Sequence, residues 1–155
     1  MISVLHISDL HFGKPSIPEQ VRAIERRIKE ARYHVVAVSG DISQRARARE
    51  LEQGRAFLRA ADEVSRTIVV PWNHDVKWWR DPLGLGSTSA QFAAYRAYIS
   101  ADLEPVLRMP GATFVGLNTA HGVKPHTLTW NPRMGLWCIT MARTSARSRT
   151  SAWTS

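Results

Sequence analysis

The sequence has a single cysteine, Cys138, and no apolar run long enough to cross a membrane. One thiol cannot form an internal disulfide or a cysteine-cluster zinc site, and a transmembrane helix needs about 20 apolar residues. The first residues also lack the basic start and the cleavage site of a secretory signal peptide. These absences predict a protein of the reducing cytoplasm that has no membrane partner.

Acidic residues are missing from the last 51 positions, which follow Glu104 and hold six of the Lys and Arg residues. The net charge of +8 therefore belongs partly to this end of the chain. From position 136 onward Arg, Ser, Thr and Ala dominate without helix or strand periodicity. We predict a disordered basic tail at 136–155. A non-catalytic basic module that binds nucleic acid or a protein partner remains an open interpretation.

Apolar periodicity divides the rest of the chain into alternating strands and helices. Short apolar runs predict strands near 2–7, 35–38, 67–70 and 112–117, and amphipathic spacing predicts helices at 19–32, 47–64 and 89–103. The order βαβαβ is typical of a parallel sheet that is covered on both faces. The predicted fold class is therefore an α/β sandwich, a mostly parallel sheet with flanking helices, whose function gathers at the carboxyl ends of the strands.

Polar side chains follow each of the first three predicted strands. The blocks are Asp9-Leu10-His11, Gly40-Asp41 and Asn73-His74. On an extended backbone Asp9 and His11 point the same way while Leu10 points into the core. A carboxylate beside an imidazole suits Mn, Fe or Zn better than calcium, which prefers oxygen ligands alone. Three such blocks, each after its own apolar strand, predict a metal site at one edge of the sheet.

These blocks resemble the hallmark motifs of the calcineurin-like metallophosphoesterase superfamily, and the resemblance covers residues 1–135. The Ser-Asp-Leu-His-Phe-Gly and Ser-Gly-Asp-Ile-Ser spellings are most similar to the bacterial branch that includes cyclic-nucleotide phosphodiesterase-like proteins. The resemblance implies a hydrolase of phosphomonoesters or phosphodiesters that uses two divalent metal ions of the Mn, Fe or Zn class. The implied partner is a phosphoester substrate, with nucleotides among the candidates.

The same resemblance implies a role for each predicted ligand. Asp9 and His11 would bind the first ion, Asp41 would bridge the two ions, and Asn73 would bind the second. The family's later Gly-His-x-His block does not occur in this sequence, so the implied ligand set is incomplete. A truncated or frameshifted reading of a longer gene is our hypothesis for this gap, and an inactive fragment is a further alternative.

Two more positions of the third block carry implied roles. His74 would stand near the leaving oxygen as a hydrogen-bond or proton donor, with Asp75 orienting its ring, although a purely structural histidine is the alternative. Trp72 replaces the glycine of the family. A bulky residue at a tight turn would cost about 1–3 kcal/mol if its φ were positive, and it could misaim Asn73. A wall for a stacked nucleobase is the other interpretation of Trp72.

Several further residues have two interpretations each. Arg45, Arg47 and Arg49 alternate at the start of a predicted helix, where they could meet phosphates, but a solvated helical face is the simpler interpretation. His121 and His126 are the remaining late histidines, and neither has the context or spacing of the missing block. We therefore do not assign them as ligands.

Overall fold

The computed structural model describes residues 1–14, 16–76, 88–120 and 139–142, and these ranges form two three-stranded sheets with flanking helices. The elements in chain order are β1 (Val4–Ile7), α1 (Pro18–Ala31), β2 (Val35–Ser39), α2 (Ala48–Asp62), β3 (Arg66–Val70), a 3-10 turn (Asn73–Asp75), α3 (Thr88–Gln91), α4 (Ala93–Tyr98), β4 (Val106–Met109), β5 (Ala112–Gly116) and β6 (Ile139–Ala142). No helix within these ranges has the length and hydropathy that a membrane span requires.

The first sheet is parallel, as the apolar pattern predicts, and its strands have the order β1-β2-β3. Val35 of β2 pairs with Val4 on one side and with Arg66 on the other. All five residues of β2 are buried, because this strand has a neighbour at each edge and a packed layer on each face. Since the three strands run in one direction, the loops that follow them leave from the same edge of the sheet.

The two faces of this sheet are covered by different structures. On one face Val36 shares an apolar cluster with Ile28 of α1 and Phe57 of α2. On the other face Val35 packs in a second cluster with Phe114 of β5. The strand order advances in one direction, and successive right-handed crossovers then place both helices on the same side. The second face is covered by a sheet, which the sequence pattern did not indicate.

The second sheet is antiparallel, in the order β4-β5-β6. The sequence predicts β5 but not β4, whose four residues alternate between exposed and half-buried and give no continuous apolar run. β6 lies inside the segment 136–155 that we predict to be a disordered tail, and its four residues instead pair with β5. The other residues of that segment lie outside the described ranges.

The helix predicted at 89–103 is shorter in the structure, because α4 ends at Tyr98. Local hydrogen bonds replace the helical ones beyond that point. Ser100 Oγ accepts the Asp102 N–H at 3.2 Å, and Asp102 Oδ1 accepts the Glu104 N–H at 3.0 Å. Serine and aspartate side chains compete with helical hydrogen bonds in this way. The predicted bounds of α1 and α2 agree with the structure to within two residues.

Candidate metal centre

The loops after β1 and β2 run side by side, and together they carry three of the predicted ligands. The His11 N–H donates to the Asp41 carbonyl oxygen at 2.8 Å, and the Phe12 N–H donates to the Ile42 carbonyl oxygen at 2.7 Å. These bonds continue the parallel pairing past the ends of both strands. The backbone therefore fixes His11 next to Asp41 before any side-chain interaction is considered.

Each of the three predicted ligands on these loops has a left-handed backbone. The φ angle is 57° at Asp9, 43° at His11 and 50° at Asp41. A non-glycine residue in this region costs on the order of 1 kcal/mol, and such strain collects at functional sites. β1 already ends at Ile7, so strand alternation does not orient Asp9 and His11 as we expected. The left-handed turns bring their side chains together instead.

The side chains of Asp9, His11 and Asp41 converge on a small volume. His11 Nε2 lies 3.6 Å from Asp9 Oδ1 and 3.6 Å from Asp41 Oδ2, and one ligand atom from each residue lies within 4.8 Å of the others. Both distances are too long for a good hydrogen bond. Ligand atoms that share an ion at about 2.0–2.2 Å stand roughly 3–4 Å apart. The donor set and its spacing therefore fit a divalent cation.

The electrostatics of Asp41 also fit a cation. The pKa of Asp41 is raised to about 6. Burial is the largest cause and the nearby Asp9 carboxylate adds to it, whereas the His74 N–H and the charge of His74 oppose the shift. Asp41 Oδ1 accepts that His74 N–H at 3.2 Å, while Oδ2 faces His11. A cation would offset the cost of placing two carboxylates close together in a partly buried site.

His74 lies directly beside these ligands. Its ring centroid is 5.0 Å from that of His11 in an edge-to-face arrangement, and its Nδ1 is 2.9 Å from the Gln44 carbonyl oxygen. A carbonyl can only accept, so this contact places a proton on Nδ1. Nε2 is then the nitrogen that is available for proton transfer. Sequence reasoning did not single out Gln44, because a backbone carbonyl leaves no residue-type signal.

Asp75 does not orient the His74 ring as we expected. Its carboxylate is completely buried, where Oδ1 accepts the Ser43 N–H at 2.8 Å and the Ser43 hydroxyl at 3.0 Å, and Oδ2 accepts the Ile42 N–H at 3.3 Å and the Trp72 N–H at 3.2 Å. Burial raises the pKa of Asp75 to about 6 despite these bonds. Asp75 therefore ties the loop after β2 to the loop after β3.

Asn73 and Trp72 occupy the start of the 3-10 turn. Asn73 is exposed and lies next to His74 in that turn. Trp72 has φ −130° and ψ −177°, an extended backbone, so the strain that a positive φ would bring is absent at this position. Trp72 instead contacts Gly40, where an added Cβ would lie 2.2 Å from the Trp72 Cβ. The late histidines His121 and His126 lie outside the described residues.

The Gly40–Trp72 contact predicts an unusually costly glycine substitution. Gly40 has φ +77°, and Gly111, in the turn before β5, has φ +85° with nothing within 4 Å of an added Cβ. We expect Gly111→Ala to lower the free energy of unfolding by about 1 kcal/mol, the cost of the backbone conformation alone. Gly40→Ala should lower it by about 2–4 kcal/mol, because overpacking adds to that cost. Urea unfolding followed by circular dichroism measures both values.

The Gly111 variant is the matched control, because it shares the positive φ and lacks the contact. The double variant Gly40→Ala/Trp72→Gly removes the opposing Cβ and should recover part of the loss. Equal destabilisation by Gly40→Ala and Gly111→Ala would contradict the packing argument.

The chain is thus an α/β protein, and two aspartates and a histidine form a candidate metal site at the carboxyl edge of its parallel sheet. The family model of the calcineurin-like phosphoesterases matches residues 2–146, and the chain belongs to this family. No curated protein matches the chain. Among solved structures, it is similar to the crystal structure of Pseudomonas putida nuclease MPE at 20% identity, with a TM-score of 0.32. That likeness covers 57% of this chain and 44% of the nuclease chain, so the chain spans less than half of it.

Proposed function

We propose that the chain is a metal-dependent phosphoester hydrolase. The observation that carries the proposal is the convergence of Asp9, His11 and Asp41 within 4.8 Å in a chain of the calcineurin-like phosphoesterase family. Two divalent ions of the Mn, Fe or Zn class are the proposed cofactors. The proposed substrates are phosphomonoesters or phosphodiesters, including nucleotides. A location in the cytoplasm, expected from the single cysteine, stays a prediction.

The family resemblance gives each ligand a proposed task. Asp9 and His11 would hold the first ion, and Asp41 would bridge to a second ion that Asn73 helps to hold. When bound, such ions supply Lewis-acid polarisation of a phosphoryl oxygen and a reactive nucleophile at neutral pH. Asp41 suits the bridging task because its Oδ1 is steadied by the His74 N–H while Oδ2 remains directed at His11.

His74 would handle the proton of the leaving group. The Gln44 carbonyl keeps a proton on Nδ1, so Nε2 is the nitrogen from which a doubly protonated ring gives up a proton. Such a ring donates its Nε2 proton to the leaving oxygen as the P–O bond breaks, and it returns to the neutral form with Nδ1 still protonated. The backbone N–H of His74 holds Asp41 meanwhile, so one residue positions a ligand and transfers a proton.

The proposal predicts hydrolysis that depends on added metal and on pH. With Mn²⁺ supplied, the chain should hydrolyse bis(p-nitrophenyl) phosphate or p-nitrophenyl phosphate, and removal of the metal with EDTA should abolish turnover. A protonated Asp41 cannot bind an ion. Since its pKa is raised to about 6, Mn²⁺ affinity should fall at least about tenfold per pH unit below that pH.

Release of p-nitrophenol measures turnover. Isothermal titration calorimetry between pH 5 and pH 7, about one unit to either side of that pKa, measures Mn²⁺ affinity. Mg²⁺ is the matched control ion, because it favours all-oxygen sites and should bind more weakly to a site with an imidazole ligand. Turnover that survives EDTA, or Mn²⁺ affinity that does not change with pH over this range, would overturn the proposed function.

A further inference from the structure

A basic cavity of about 670 Å³ opens beside the candidate metal centre. Four cationic side chains line it: Lys14 from the loop after β1, Arg45 and Arg47 from the segment before α2, and Arg49 from the first turn of α2. All four are exposed. Glu50 is the one carboxylate among the described lining residues, so the cavity carries a net positive charge of three. This volume lies in the range of ligand pockets rather than of surface irregularities.

Buried groups fix the arginine segment in place. The Glu50 side chain is 7% exposed, and its Oε2 accepts the Arg45 N–H at 2.7 Å and the Arg47 N–H at 3.3 Å. The buried Ser43 hydroxyl accepts the Ala46 N–H at 3.1 Å. The Glu50 carboxylate therefore binds backbone N–H groups, and its Oε1 lies 4.0 Å from Nε of the Arg47 guanidinium. Buried side chains therefore fix the backbone that carries Arg45 and Arg47.

Two of the residues that line the cavity are neighbours of the proposed catalytic residues. Gly13, which lines it, lies two positions after His11, and Gln44, which also lines it, accepts the His74 Nδ1 proton through its carbonyl. His74 is the group proposed to serve the leaving oxygen. The cavity and its cations therefore lie near the residues of the proposed site.

We propose that this cavity binds phosphate groups that flank the scissile one, so that the substrate carries a run of phosphates. The inference rests on the proposed function for the identity of the reacting bond. Arginine binds phosphate oxygens through paired N–H donors, and a cavity with four cations and one carboxylate favours several of them. No aromatic side chain is among the described lining residues, so the cavity offers no platform for base stacking. The described lining therefore favours contacts with the phosphate backbone.

Binding of a fluorescein-labelled single-stranded oligonucleotide, followed by anisotropy across a salt titration with EDTA present, tests this inference without catalysis. The double variant Arg45→Gln/Arg49→Gln removes two cations and keeps the backbone bonds to Glu50. We expect its dissociation constant to rise roughly tenfold at low salt, and the slope of log K against log salt to fall by about 1.4, since each phosphate contact contributes about 0.7.

The matched control is Arg26→Gln/Lys29→Gln on α1, which removes the same charge from exposed positions outside the cavity. It should leave both affinity and slope within about twofold of the parent chain, because only local contacts release counterions. An equal effect of the two double variants would assign binding to net charge alone and overturn the inference. Absence of oligonucleotide binding at low salt, with no binding of tripolyphosphate, would overturn it as well.

Competition by inorganic tripolyphosphate identifies the source of the phosphates. Displacement at an equal phosphate concentration supports a short polyphosphate such as that of a nucleotide, and lack of displacement supports a longer nucleic-acid backbone. Oligonucleotide binding that depends on the cavity, together with no metal-dependent turnover, would support the inference and reject the proposed function. The two ideas can therefore fail separately.

Discussion

Asp41→Asn should lower Mn²⁺ affinity by at least about 100-fold. Loss of a residue that only hydrogen-bonds to a metal ligand already lowers metal affinity by about 10–100-fold. Turnover with bis(p-nitrophenyl) phosphate should fall by at least about 10²–10³-fold, the usual cost of removing one preorganised electrostatic group. The asparagine oxygen can still accept the His74 N–H, so the loop geometry should persist. Calorimetry and the release of p-nitrophenol measure the two losses.

A stability measurement shows whether Asp41→Asn loses metal affinity because a ligand is missing or because the chain unfolds. Burial raises the pKa of Asp41, which means that its ionised form is unfavourable in the fold without a cation. Asp41→Asn should therefore be at least as resistant to urea as the parent chain when no metal is present. Asp102→Asn, an isosteric change at an exposed position, is the control and should change neither metal affinity nor turnover. Unchanged Mn²⁺ affinity in Asp41→Asn would contradict the ligand assignment.

Asp75→Ala should lower the free energy of unfolding by about 3–5 kcal/mol, because it leaves several buried donors without an acceptor. Three backbone N–H groups and the Ser43 hydroxyl donate to this carboxylate, which is fully buried. Asp75→Asn should also destabilise, since an amide turns an N–H₂ toward donors that need an acceptor. Urea unfolding at neutral pH measures each change.

Asp62→Ala supplies the comparison for Asp75. Asp62 is exposed and its Oδ1 accepts one N–H, that of Thr67 at 3.1 Å. Water can replace that partner, so we expect a loss below about 1 kcal/mol. If the Asp75 and Asp62 variants were equally stable, the structural role of Asp75 would be refuted, and a direct role beside His74 would regain support.

The parts of the fold that the sequence predicted well are those with strong apolar periodicity. β2 is an uninterrupted apolar run, and a strand that is buried on both faces has no other pattern available. β4 is the opposite case, because Val106 is 48% exposed and the strand gains its order from pairing with β5. Pairing between distant segments leaves little trace in local composition, so the second sheet was largely invisible to sequence reasoning.

The candidate site shows a similar division. The identities of Asp9, His11 and Asp41 were predictable, since residue type and position after a strand are written in the sequence. Their approach to one another depends on left-handed turns and on hydrogen bonds between loops, which residue type does not reveal. Asp75 shows the limit most clearly. Its place next to His74 in sequence suggested a functional pair, whereas burial and its four donors make it part of the scaffold.

The left-handed backbone at the three ligands also limits how this site can change during evolution. Aspartate, asparagine and histidine are among the few non-glycine residues that are enriched at positive φ, and they are also good metal ligands. Conformation and chemistry thus select the same residue types at positions 9, 11 and 41. Glutamate would keep a carboxylate there but lose the conformational preference. Evolutionary substitution at these three predicted ligand positions is therefore limited to a few residue types, by the backbone conformation as much as by metal binding.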